Sequence, residues 1–260
     1  MKNTAILLSA GKGMRLREET GGMKKQYTDL AGIPMISYSL RTLLESPEIT
    51  ELVMVIAKED RPFVEEEVLP GIRKGVGEEN FTKFKGFAYG GKERYHSVYN
   101  GLTAIDWQCD YVFIHDGARP FIEEDTIQRL LAAAGEEEAV VAGMPSKDTV
   151  KIVDAGGYVA QTPDRSLVWT IQTPQVFECA LITDAYRKMI REEESLRAKG
   201  VNITDDAMAV ELMCSHRVKL VEASYRNFKV TTPEDLESAW PIAMEFQERW
   251  NPEMLEISWS

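Results

Sequence analysis

The first apolar run of the chain leads straight into two glycines and a string of cations. Leu7-Leu-Ser-Ala-Gly-Lys-Gly-Met-Arg-Leu places Gly11 and Gly13 where backbone can approach a ligand closely, and Lys12, Arg15, Arg17, Lys24 and Lys25 follow, with Glu18 and Glu19 among them. Such a string can hold a triphosphate, because ammonium and guanidinium groups form charge-assisted bonds with phosphate oxygens. An ordinary solvated loop would also contain a Gly-x-Gly with lysines nearby, so the segment does not stand alone. A dinucleotide fingerprint needs a third glycine where Leu16 stands, and no segment has the P-loop ending Lys-Ser/Thr. Both of those readings weaken.

Two further segments bear on the same chemistry. Gly90-Gly-Lys-Glu-Arg-Tyr-His-Ser opens a helical pattern, so backbone amides around Gly91 and Lys92, with the Ser97 hydroxyl, can read the polar edge of a base. His115-Asp-Gly-Ala-Arg-Pro closes an apolar run and sets the Asp116 carboxylate where a magnesium ion bridging phosphates needs a hard oxygen ligand. Arg119 beside it suits either a surface ion pair or bidentate phosphate binding. His96, His115 and His216 have no helical partner at metal-ligand spacing and no nearby nucleophile, and they read as structural.

The elements that must position these groups follow from apolar periodicity. Strand-length runs at Thr4–Ser9, Glu51–Ala57, Phe84–Tyr89, Tyr111–His115 and Ala139–Pro145 alternate with helical patterns at Met35–Ser46, Arg61–Val68, Ser97–Ile105 and Glu124–Ala134. Alternation of this kind predicts an α/β fold, a three-layer sandwich around a mostly parallel, Rossmann-like sheet. Ligands then belong at the carboxyl ends of the strands, where Gly11 and Asp116 fall. Lys147–Arg165 differs: two short runs flank Asp154-Ala-Gly-Gly, a hairpin arm too slight to stand alone and suited to packing on a second subunit. After it the pattern predicts a long charged helix near Leu181–Lys199, a short one near Asp206–Leu212, a strand at Val218–Ala223, and a last helix capped by Thr232 with Pro233 in its first turn.

The 260 residues divide into a main domain at 1–240 that includes the arm at 146–168, and a C-terminal helical extension at 241–260. The opening apolar run, Ala5 to Leu8, is too short for a signal peptide or a membrane span, which reads as cytoplasmic. Cys109, Cys179 and Cys214 are scattered and odd in number, so they read as buried thiols outside any disulfide or zinc site. A net charge of −12 repels nucleic acid and anionic lipid, leaving the basic cluster as the place for a polyanionic ligand.

In this order the segments resemble the 2-C-methyl-D-erythritol 4-phosphate cytidylyltransferase family. The likeness spans about Thr4 to Ala239 and rests on Ser9-Ala-Gly-Lys-Gly-Met-Arg, Lys25-Gln-Tyr, Gly90-Gly with Arg94 and Ser97-Val-Tyr-Asn-Gly-Leu, His115-Asp-Gly-Ala-Arg-Pro, Lys147-Asp-Thr-Val-Lys, Gln172-Thr-Pro-Gln-Val-Phe, Thr204-Asp-Asp-Ala and Asn227-Phe-Lys-Val-Thr-Thr-Pro-Glu-Asp-Leu. The resemblance implies a nucleotide-diphospho-sugar transferase type of sheet and transfer of CMP from CTP to the phosphate of a small polyol, with Mg2+ as cofactor. It implies that Arg15, Lys25 and Lys229 neutralise the phosphates during transfer. Ala10, Gly11, Gly13, Gly91, Lys92, Ser97, Asp116 and Gly117 would surround the nucleotide, with Asp116 also the metal ligand. Arg119, Thr149, Arg165 and Thr173 would grip the polyol phosphate, Thr149 and Arg165 arriving on the arm of the partner in a homodimer. Three departures stand out: Lys24 where the family usually has Pro, Gly117 where it usually has Ala, and a tail beyond Ala239 that is longer than expected.

No general base is required, because an attacking phosphate oxygen is already ionised near neutral pH. The nearest alternative is a ribitol-5-phosphate cytidylyltransferase, against which Lys147-Asp-Thr-Val-Lys argues by resemblance. A nicotinamide dehydrogenase is disfavoured by Leu16, and a silent nucleotide-binding protein by the full set of cations with Asp116.

Overall fold

The computed structural model describes residues 1–11 and 24–250. A seven-stranded sheet carries the molecule: β1 (Asn3–Ser9), β4 (Glu51–Ile56), β5 (Phe84–Tyr89), β6 (Tyr111–Asp116), β7 (Ala139–Pro145), β10 (Trp169–Glu178) and β11 (Lys219–Glu222), in the order β11-β7-β10-β6-β1-β4-β5. Two small pairs lie apart from it, β2 (Asp29–Leu30) with β3 (Ile33–Pro34), and β8 (Ile152–Val153) with β9 (Val159–Gln161). The helices are α1 (Ile36–Glu45), α2 (Arg61–Phe63), α3 (Leu69–Phe81), α4 (Arg94–Thr103), α5 (Glu124–Glu137), α6 (Cys179–Arg191), α7 (Glu193–Ala198), α8 (Asp206–Cys214) and α9 (Pro233–Trp250).

Central strands are apolar on both faces because helices cover both. In β1 the side chains alternate accordingly: Ala5 and Leu7 join one buried cluster with α1 and α5, and Ile6 joins the other with α4 and α6. β1 pairs in parallel with β4 and β6, while β10 runs antiparallel between β6 and β7. The α/β sandwich with a mostly parallel sheet is therefore as expected. The antiparallel β10 was not among the predicted strands; its Gln172-Thr-Pro-Gln stretch breaks the apolar pattern, and a register shift in its pairing with β7 falls between Ile171 and Gln175. Thr173–Pro174, in the same stretch, is a cis peptide.

Two helices depart from the sequence reading. The Arg61–Val68 pattern continues through a π-helical turn at Val64–Val68 into α3, which ends at Phe81. The long charged helix divides at Glu192 into α6 and α7. The three cysteines are half-buried free thiols, not buried ones.

The last helix begins as its cap predicts: Thr232 Oγ1 accepts from the Asp235 amide at 3.3 Å, and Asp235 accepts in turn from the Thr231 and Thr232 amides at 2.7 and 2.9 Å. It then runs unbroken through Pro241, across the division expected at residue 240. Ala239, Ala243 and Phe246 are buried in one cluster with Tyr38, Phe121 and Leu30, so α9 covers the β2–β3 pair. Residues 251–260 of the predicted extension lie outside the described residues.

Candidate active site

A cavity of about 520 Å³ opens at the carboxyl ends of β1 and β6. Parallel strands all end on this edge, so their following loops converge there. The start of the glycine loop is fixed by Gln26, whose amide donates to the carbonyls of Ser9 at 2.8 Å and Gly11 at 3.1 Å. Gln26 and Lys25 sit on one 3-10 turn, Lys25–Tyr27, so the same turn that anchors the loop brings Lys25 to the cavity wall. Opposite lies the segment after β5. A Cβ on Gly90 would stand 2.3 Å from the Ala10 Cβ, so glycine there lets this loop close against the first, and one on Gly91 would stand 2.3 Å from the His96 Cβ, so glycine there lets the loop pack on the start of α4. The Ser97 hydroxyl accepts from the Gly91 amide at 3.1 Å and holds the loop from within the first turns of α4.

Asp116 is the electrostatic centre. Its Oδ1 accepts from Arg94 at 3.1 Å and its Oδ2 from Lys229 at 2.6 Å. Burial by itself would raise the pKa of this carboxyl, but the Arg94 and Lys229 charges outweigh it and hold Asp116 well below the usual carboxylate range. It is an anion at any working pH. Arg94 in turn forks onto the fully buried Asp206, 2.8 and 2.9 Å from its two oxygens. Asp206 heads α8, and Gln175 on β10 accepts from its amide at 3.0 Å. Charge thus alternates across the cavity floor from Asp206 through Arg94 and Asp116 to Lys229.

Below Asp116 a chain of bonds sets one tautomer. His115 Nε2 lies 2.9 Å from the Arg119 carbonyl, which can only accept, so Nε2 carries the proton and Nδ1 accepts from the Thr173 hydroxyl at 3.1 Å. The Thr173 oxygen accepts from the Asp116 amide at 3.0 Å. Complete burial pushes the His115 pKa from 6.5 down to about 4, so the ring is neutral. Asn227 completes the support, donating to the Thr173 carbonyl at 2.8 Å and accepting from Arg119 Nη1 through its own carbonyl at 2.9 Å. The Val230 amide donates to the Ala118 carbonyl at 2.8 Å, which lays Lys229 beside the end of β6.

The family model for 2-C-methyl-D-erythritol 4-phosphate cytidylyltransferase matches residues 4–245. The chain belongs to this family. A curated relative of that name from Lachnospira eligens is 41% identical over 237 residues, covering 91% of this chain and 97% of its own. Another from Lachnoclostridium phytofermentans is 40% identical over 247 residues, covering 95% and 98%. Among solved structures, a 4-diphosphocytidyl-2C-methyl-D-erythritol synthase from Anaerococcus prevotii superimposes with a TM-score of 0.76 at 32% identity, over 94% of this chain and 96% of that one. The cytidylyltransferase from Francisella tularensis gives 0.70 at 28% identity, over 92% and 98%.

Most residues expected of a cytidylyltransferase site meet at the cavity: Ala10, Gly11, Lys25, Gly91, Lys92, Ser97, Asp116 and Lys229 all line it. Gly117 follows Asp116 and donates to the Leu8 carbonyl at 2.8 Å. A Cβ there would come 2.3 Å from Ile36 Cδ1, so Ile36 fills the space that a side chain at this position would need. Gly13 and Arg15 lie outside the described residues. Thr149 and Arg165 sit on the exposed arm and are not part of the wall. Arg119 lies against the same floor, its Nη groups on the carbonyls of Asn227 and Ile171 and its buried Nε without a partner among the described residues. Thr173 is 4% exposed, and its hydroxyl proton goes to His115. Sequence reading gave no role to Arg94, Asp206, Gln26 or Asn227. Each stood in a quoted motif, but a pairing across 112 residues, as for Arg94 and Asp206, has no local signature.

Proposed function

We propose that the chain transfers CMP from CTP to 2-C-methyl-D-erythritol 4-phosphate, giving 4-diphosphocytidyl-2-C-methyl-D-erythritol and pyrophosphate. The observation that carries this reading is the cavity floor, where an ionised Asp116 lies between Arg94 and Lys229 and shares one cavity with Lys25, Ala10 and Gly11. The cytosine belongs with Ala10, Gly11, Gly91, Lys92 and Ser97, whose close-packed loops offer backbone groups to a flat polar edge. The ribose lies by Asp116 and Gly117. Lys25 and Lys229, with Arg15, place positive charge around the α-phosphorus and the leaving pyrophosphate, so charge neutralisation and alignment supply the rate. The polyol phosphate oxygen attacks in line without a base. Arg119 attracts that phosphate from the floor, and Thr173 contributes by fixing the Asp116 backbone.

A magnesium ion fits this donor set. The described residues hold no cluster of three or more His, Cys, Asp or Glu ligands, and magnesium characteristically takes one or two carboxylates with substrate phosphates and water. Asp116 offers that carboxylate, ionised and turned to the cavity. When bound, the ion would offset phosphate charge. Asp116→Asn, measured as turnover against magnesium concentration, should demand several-fold more metal; an unshifted titration removes Asp116 from the metal site.

The arm fits a homodimer in the cytoplasm. Ile152, Val153, Tyr158 and Val159 are 48, 54, 77 and 58% exposed on a two-stranded ribbon that a second subunit would cover. That docking would carry Thr149 and Arg165 to the partner's cavity. Among the described residues no helix is long and apolar enough to cross a membrane. The deciding assay is pyrophosphate release with CTP and a panel of polyol phosphates. Turnover confined to the methylerythritol substrate supports the reading, and equal or faster use of ribitol 5-phosphate overturns it.

A further inference from the structure

Lys24 is the residue just before the phosphate-facing Lys25, and its ammonium does not point to the cavity. It lies 2.7 and 2.9 Å from the two oxygens of Asp60 and 3.1 Å from Glu59, on the turn that follows β4. The Lys24 side chain is 16% exposed and that of Asp60 10%, whereas Glu59 is open to solvent at 73%. Burial alone would lower the Lys24 pKa, but the two carboxylates more than offset it and raise it, so the Lys24 ammonium stays charged. Beyond Lys25 the turn is held again, by the Gln26 amide on Ser9 and Gly11 and by buried Tyr27, whose ring packs 5.2 Å from Phe63. Lys25 is therefore the middle residue between two anchors, and on its N-terminal side the side-chain anchor is ionic, beside a backbone bond from the Tyr27 amide to the Lys24 carbonyl at 2.9 Å.

The backbone at Lys24 adds a second observation. Its φ of −70° lies in the narrow range that a pyrrolidine ring imposes by covalent constraint, and its ψ of 139° is that of extended backbone. A lysine has no such constraint, and an extended, solvated lysine samples many backbone states. Here the side chain, tied to another loop, supplies the restraint that the ring would supply.

We propose that the Lys24–Asp60–Glu59 clamp is a positioning device for catalysis, which holds Lys25 in the register needed to meet the phosphates. Lys24 touches no substrate and acts through Lys25. The proposal rests on the phosphate-binding reading of Lys25 given above, and its tests separate the two.

The experiment measures kcat and KM for CTP in wild type, Lys24→Ala, Lys24→Arg, Lys24→Pro and Glu59→Gln, each checked for folding by its thermal transition. Lys24→Ala should lose roughly tenfold or more in kcat/KM for CTP, since small misplacements of catalytic groups cost up to ~10²-fold. Lys24→Arg should recover most of that, and Lys24→Pro should recover it by a different physical route. The two rescues are distinguished by salt. Added sodium chloride should reduce the activity of wild type more steeply than that of Lys24→Pro, because salt screens the phosphate contacts in both enzymes and the ionic clamp in wild type alone. Glu59→Gln removes only the exposed arm of the clamp, so it keeps the fold and should lose about twofold with a steeper salt dependence. Wild-type kinetics in folded Lys24→Ala would overturn the proposal, as would a Lys24→Pro enzyme as impaired as Lys24→Ala with the same salt dependence as wild type. Absence of CTP turnover in wild type with every polyol phosphate would instead reject the functional reading itself.

Discussion

At the scale of single residues, the site divides its titratable groups between those assigned to ligand and those buried against protein. Lys25 lines the cavity from a turn whose other two residues, Gln26 and Tyr27, are buried, and the proposed function assigns it to the first group. Lys25→Ala should therefore lower kcat by ~10²–10³ while leaving the melting temperature within a few degrees, in line with loss of one group that stabilises transition-state charge. Loss of activity together with a collapsed transition would place Lys25 in the fold instead. His115 belongs to the second group. Its folded pKa of about 4 lies below the ordinary 6.5, so protonation is disfavoured by the native state and the unfolded chain binds more protons between those values. Stability from this residue is complete above pH 6.5, falls as pH drops from 6.5 toward 4, and changes no further below that. The two values differ by about 2.5 units, which corresponds to about 3 kcal/mol at most. Urea unfolding of metal-free wild type and His115→Gln should show a stability gap at pH 7 that narrows by roughly 2 kcal/mol at pH 5. A gap independent of pH would mean that His115 titrates normally in the fold.

At the scale of elements, the arm is the part whose placement has the sharpest consequence. Its turn is locally complete: Asp154 Oδ1 accepts from the Gly156 and Tyr158 amides at 2.9 and 3.0 Å, and Gly157 takes a φ of +82°. Its apolar side chains are nonetheless left in solvent, and its root is pinned by Tyr225, whose hydroxyl donates to the Pro145 carbonyl at 2.8 Å and whose ring lies 3.5 Å from the Lys147 ammonium. A ribbon so fixed at the base and bare at the tip fits one that reaches a neighbour. If the proposed exchange holds, each site takes Lys25 from one chain and Arg165 from the other. Lys25→Ala and Arg165→Ala homodimers should each be nearly inactive, and an equal mixture after subunit exchange should regain about a quarter of wild-type activity, because half the dimers are mixed and each has one intact site. No recovery after verified exchange would return the arm to its own subunit.

At the scale of the whole molecule, α9 closes the fold. Phe246 is 4% exposed, with its ring 5.3 Å from Phe121, 6.4 Å from Tyr38 and 6.1 Å from Trp250. Tyr38 donates to the Leu30 carbonyl at 2.7 Å and receives Gln247 at 2.7 Å, so the helix is joined to the β2–β3 pair by both packing and hydrogen bonds. Phe246→Ala should cost about 3 kcal/mol or more of unfolding free energy, as deletion of a buried aromatic side chain does. A loss below about 1 kcal/mol would show the helix end to be an appendage after all.

What the sequence determined by itself was whatever depends on neighbours a few residues apart. Apolar runs with turn signals between them located the parallel strands β1, β4, β5, β6 and β7, and the Thr232 cap located the start of α9, because strand burial and capping are local. The order of Gly11, Lys25, Gly91, Ser97, Asp116 and Lys229 was legible through the family resemblance, since those residues recur in motifs. Tertiary structure alone decided what those groups are paired with. The insertion of β10 against the direction of its neighbours brings Thr173 to His115 and Gln175 to Asp206, contacts between segments 31 to 58 residues apart. It also decided that Lys24, which reads in sequence as one more phosphate-loop cation, spends its charge on Asp60, 36 residues away. Charge and spacing name the candidates for a site, but which cation meets ligand and which meets protein depends on the direction of each side chain, and that is set only when distant strands come into register.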